Sequence, residues 1–110
     1  MIANDAPRDS NTFSEREALS FAYELEEVHR FLEQGSLLEK IVTRISSRDI
    51  PRLQKEYPTF LPVEIYQNPN QFQMFAITFI LAKNALPGHS KMKVYVEMTE
   101  RRVVKIFATS

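Results

Sequence analysis

Apolar residues recur along the first half of this 110-residue chain with helical spacing and along the second half in alternation. The segment "SERE" at 14–17 has the form of a capping box, in which the Ser14 hydroxyl and the Glu17 carboxylate each accept from the other's amide. Beyond it Ala18, Phe21, Leu25, Val28 and Leu32 follow a 3, 4, 3, 4 spacing, which predicts one helix over about 15–34, with Gly35 as its C-cap. "SLLE" at 36–39 repeats the start signal. Leu38, Ile41, Val42 and Ile45 then lie at i, i+3, i+4 and i+7, so a second amphipathic helix is expected to about Ser47. Asp49 before "IPRLQKEY" predicts a short third helix with Pro51 in its first turn and Ile50, Leu53 and Tyr57 turned inward. Prolines 58 and 62 end it.

After Pro62 the period becomes two. Val63 and Ile65 alternate with Glu64 and Tyr66, "QNPNQ" reads as a turn, and "FQMFAITFILA" at 72–82 is apolar on both faces, as a central strand requires. In "KMKVYVEM", Met92, Val94, Val96 and Met98 face inward while Lys91, Lys93, Tyr95 and Glu97 face outward. A tight turn near "TERR" leads to Val104, Ile106 and Ala108 alternating with Val103, Lys105 and Phe107. Helices followed by strands predict an α+β fold, with two to three N-terminal helices packed on a four-stranded antiparallel meander sheet. That coarse order resembles cystatin-like and NTF2-like folds, a likeness of topology that carries no motif. Residues 1–12 are polar and aperiodic, so a disordered tail is expected there and a single domain over 13–110.

Composition narrows the chemistry. The chain has no cysteine, which removes thiol nucleophiles, disulfides and cysteine-based metal sites, and its two glycines, Gly35 and Gly88, are too far apart for a phosphate-cradling loop. The N-terminus has no basic start with an apolar run, and no stretch approaches the length of a membrane span; a cytoplasmic protein without a membrane partner is expected. Net charge is zero, distributed as 8 Lys and Arg against 11 Asp and Glu in residues 1–57 and 6 against 3 in 58–110. That is a weak basic bias for a nucleic-acid binder, so nucleic acid is not the expected partner.

Lys40, Arg44, Arg48 and Arg52 recur every fourth residue, which suggests a cationic rail. On a helix each such step advances about 400°, so the row drifts around the axis until Arg52 enters the apolar stripe. The helix should therefore break before Arg52, leaving Lys40 and Arg44 on one solvated edge. Glu26, His29 and Glu33 share a side of the first helix, opposite its apolar stripe, and are expected to be simply solvated. No catalytic, cofactor or metal residue stands out.

The apolar surplus points elsewhere. Phe75, Ile77 and Phe79 on one strand face, with Tyr95 and Phe107 pointing outward, exceed what two or three short helices easily cover, and an uncovered face of that kind marks association. The expected function is a non-enzymatic protein-interaction or assembly module, an adaptor that homodimerises through an apolar sheet face and offers its charged helices to a protein partner. Phe75, Ile77, Phe79, Tyr95, Phe107, Lys40 and Arg44 are its candidate partner-binding residues, with no cofactor. Two other readings stay open. One is a small-molecule or enzymatic pocket between helices and sheet, using Tyr66, His89, Tyr95 or Glu97. The other is a single-strand binder with Lys93, Tyr95, Arg102, Lys105 and Phe107 on one face.

Overall fold

The capping box forms: Ser14 Oγ accepts from the Glu17 amide at 3.1 Å and Glu17 Oε1 from the Ser14 amide at 2.9 Å, starting helix α1, Glu15–Tyr23. A computed structural model describes residues 13–82 and 90–109; the expected tail at 1–12 and the loop residue His89 lie outside them. The first helix is not continuous. Leu25 is extended, and a separate helix α2, Glu26–Leu32, follows it. The break turns the second piece so that Val28 and Phe31 are buried, whereas Leu32, on the straight-helix stripe, is only half-buried.

The larger departure comes next. Residues expected as a second helix form strand β1, Leu37–Ile45. Their apolar spacing suits a helix, but Ile41, Val42, Thr43 and Ile45 are β-branched, and the strand β2, Met74–Leu81, needs a partner on each side. β1 supplies one, pairing antiparallel with Ile41 opposite Thr78, Val42 opposite Ile77 and Arg44 opposite Phe75. Burial along the whole of β2 outweighs local helical preference.

Helix α3, Ile50–Glu56, starts as expected with Pro51 in its first turn; Ile50 is buried, Leu53 half-buried and Tyr57 exposed. Val63–Gln67, expected as a strand, is a short helix α4. Pro62 leads into it, and it buries the adjacent residues Ile65 and Tyr66 while Val63 stays exposed, a pattern that alternation does not produce. A 3₁₀ turn at Pro69–Gln71 leads into β2. Strands β3, Lys91–Glu97, and β4, Arg102–Thr109, complete a four-stranded antiparallel sheet in the order β1-β2-β3-β4. The fold is thus the expected α+β meander, with β1 in place of the 63–66 segment as its first strand.

Two cores lie on opposite faces of this sheet. On the first, Ala18, Phe21 and Ala22 of α1 and Val28 and Phe31 of α2 pack on Phe75, Ile77, Phe79, Leu81, Met92, Val94 and Val96. On the second, Ile50, Leu61, Ile65 and Tyr66 pack on Met74, at one end of the sheet only.

Candidate interaction surface

Strand register divides the second face into rows. Ile45, Met74, Glu97 and Arg102 form the row nearest α3 and α4; Thr43, Ala76, Tyr95 and Lys105 the next; Ile41, Thr78, Lys93 and Phe107 the third; Glu39, Ile80, Lys91 and Thr109 the last. The first row is closed. The second is half closed, with the Phe60 ring edge-on to Tyr95 at 4.8 Å and the Lys105 ammonium 5.5 Å from the Phe60 ring centre. Burial under Phe60 pushes the Tyr95 phenol above its ordinary pKa. Among the described residues, the second core does not reach the last two rows, where Ile41 is 41% and Phe107 37% exposed.

The closed end of this face is held by charge. Glu97, expected to face solvent, is fully buried because its carboxylate accepts from the amides of Gln73 at 3.0 Å, Thr99 at 2.7 Å and Glu100 at 2.9 Å. It thereby closes the β3–β4 turn, in which Arg101 takes a left-handed φ of 54°, and ties that turn to the start of β2. Arg102 bonds Glu64 of α4 at 3.1 Å and stands 4.0 Å from Glu97 and 3.8 Å from Glu100, pinning the helical cover to β4. The Glu64 carboxyl lies below its ordinary pKa, held there first by its backbone hydrogen bond and then by Arg102. Sequence reasoning missed this cluster; its one signal is an acid at a strand end immediately before a tight turn.

The seven residues expected at a partner surface separate into three places. Phe75, Ile77 and Phe79 are fully buried beneath the chain's own α1 and α2. Tyr95 and Phe107 come together on the second face, their rings stacked at 6.3 Å and 18°. Lys40 and Arg44 stand on the first-face side of β1, at the sheet edge beside α1. Arg44 is used internally: it donates to the Phe13 carbonyl and to Gln73 Oε1 and lies 4.6 Å from the Phe75 ring centre. Lys40 is 5.6 Å from the Tyr23 ring centre.

The other expected sites are spent or dispersed. Tyr66 Oη donates to the Tyr57 carbonyl at 2.6 Å and accepts from the Leu61 amide, so with Glu97 it serves the second core. His29 is exposed on α2 and Glu26 pairs with Arg30 at 2.6 Å; among the described residues no three His, Asp or Glu side chains gather as a metal site. Lys93, Tyr95, Lys105 and Phe107 do share a face, but Arg102 is engaged by three carboxylates. A groove of about 180 Å³ beside α3 is lined by Ile45, Leu53, Ala76 and Tyr95 together with the Asp49–Arg52 ion pair. Among the described residues no helix is long and apolar enough to cross a membrane.

The exposed apolar side chains are unevenly placed. Of Leu37, Leu38, Ile41, Tyr57, Val63, Val103 and Phe107, five belong to the edge strands β1 and β4. No protein-family model, no curated protein and no solved structure matches this chain.

Proposed function

We propose that this protein is a non-enzymatic interaction module that self-associates through its sheet. The contact comprises the open half of the second face and the edges that border it, and the charged helical face is left for a protein partner. One observation carries the reading: among the described residues, five of the seven exposed large apolar side chains lie on the two edge strands, with Ile41 and Phe107 on the second face, which is covered at one end only. Apolar surface gathered in this way gains free energy when it leaves water, and a second copy offers the same surface reciprocally. The absence of cysteine is compatible with a reducing compartment, and a cytoplasmic location is proposed with this reading.

Sedimentation equilibrium at rising protein concentration tests the reading. The expected result is a dimer that the double variant Ile41→Lys/Phe107→Glu converts to monomer, while Tyr57→Lys, on the exposed end of α3, leaves it assembled. A wild type that stays monomeric at the highest concentration contradicts it.

A single-strand platform has one observation in favour, the shared face of Lys93, Tyr95, Lys105 and Phe107. Stacking platforms need free ring faces, whereas Tyr95 is stacked on Phe107 and met by Phe60. Titration with oligopyrimidine at low salt is expected to show no binding.

A further inference from the structure

β1 is the outer strand of the sheet, nine residues long, and among the described residues nothing pairs with its free side. Such an edge presents a row of free amides and carbonyls, a template for another strand. Leu37, Leu38 and Ile41 are its exposed apolar residues, and its pairing with β2 is regular from Glu39 to Ile45. Both edge strands carry one irregularity, but at different places: in β1 it lies at the start of the strand, between Leu37 and Glu39, whereas in β4 it faces Tyr95 and Val96.

We infer that β1 pairs antiparallel with β1 of a second copy of this chain, about a two-fold axis at Ile41, joining two sheets into one of eight strands. The inference rests on the self-association reading above and narrows its contact to the β1 edge, leaving the open half of the second face and β4 uncovered. Directly opposed residues in an antiparallel pair share a face, so a symmetric pairing sets each residue against one an even number of positions away. With the axis at Lys40, that residue opposes itself. At Val42, Lys40 opposes Arg44; like charges directly opposite are destabilising. At Ile41, the midpoint of Leu37–Ile45, Ile41 meets the partner's Ile41, Glu39 meets the partner's Thr43, Lys40 meets the partner's Val42 and Leu38 meets the partner's Arg44. No like charges are directly opposed, and the pairs from Glu39 to Thr43 lie in the regularly paired part of the strand.

A second feature fits this register. Val42 lines, with Glu15, Arg16, Leu19 and Lys40, a shallow depression between α1 and β1. Setting Lys40 opposite the partner's Val42 turns it towards that depression on the partner, whose lining holds one carboxylate, Glu15, beside Arg16 and Lys40. Lys40 as a lone edge charge discourages pairing, and the partner's Glu15 is the one acid in that lining that can offset it.

Because Ile41 opposes itself, one position tests the geometry. Ile41→Lys and Ile41→Glu are compared by sedimentation, alone and mixed, with circular dichroism confirming that each folds. Alone, each variant places like charges across the axis, and its dimer dissociation constant is expected to rise about tenfold or more. Mixed in equal amounts, the two are expected to form a heterodimer. Dimers that persist in both single variants and are lost in Phe107→Glu overturn the β1 pairing and leave the broader reading standing. Failure of the mixture to re-form a dimer also overturns it. A monomeric wild type overturns both.

Discussion

The Glu97 carboxylate accepts three backbone amides in a place with no exposure to water, so shortening its acceptor capacity strands donors that have nowhere else to go. Glu97→Gln, which keeps the volume and replaces one acceptor oxygen with an amide nitrogen, is expected to cost about 2 kcal/mol or more in urea denaturation. A loss under about 0.5 kcal/mol means that these amides find other acceptors. Glu64 makes a pH prediction of definite sign. Its folded pKa is lowered from 4.5, so its contribution to stability is present above that value and is lost as pH falls through the lower folded pKa. The stability of Glu64→Gln is expected to fall less steeply than that of wild type across this acid window, a small difference because Glu64 is exposed. Tyr95 and Phe107 were legible as outward residues from alternation alone. The burial of Glu97 was not: the amides of Thr99 and Glu100 are local, but the third comes from Gln73, distant in sequence, and the cover over the strand end is tertiary.

Elements whose period was long and whose neighbours are local were readable, and those decided by distant partners were not. α1 has its capping box, β2 is apolar on both faces, and β3 buries Met92, Val94 and Val96 as alternation requires. Residues 36–47 satisfy both periods, since Leu38, Ile41, Val42 and Ile45 fit a helical stripe while β-branched residues favour a strand. What decides between them is the unfilled edge of β2, whose residues pair with β1 across 29 to 44 positions of sequence. The solvated helix flank expected for Lys40 and Arg44 does not form, yet the two still share a side: four residues is an even number, so a strand also sets them on one face. The first-face candidates Phe75, Ile77 and Phe79 were correctly read as one apolar face, but which face the helices cover is a tertiary fact. If helical preference in 36–47 is real and overridden, the isolated peptide is expected to be largely unordered in water, helical in trifluoroethanol by circular dichroism, and strand only in the intact protein. A peptide that shows strand or no helix under those conditions places the decision in the segment itself.

At the scale of the molecule, one sheet serves two cores of unequal size. Among the described residues, thirteen buried ones form the first and five the second, and the cover of the second includes the short helices α3 and α4, tied to β4 through Arg102 and Glu64. A small apolar cluster held by a half-exposed ion pair opens at a lower free energy than the sheet beneath it. Native-state hydrogen exchange is therefore expected to show residues 50–67 opening at lower denaturant than β2 and β3, and Ile65→Ala is expected to lower the free energy of that local opening by about 2 kcal/mol or more. The same opening bares Met74, Ile45 and Tyr95, extending the apolar area of the open half towards α3. Ile65→Ala should thus associate more readily than wild type while its sheet remains folded, a coupling that light scattering measures beside exchange. Equal opening energies for residues 50–67 and for β2 mean instead that the two cores unfold as one unit, in which case the sheet's second face is exposed only as far as the native structure leaves it.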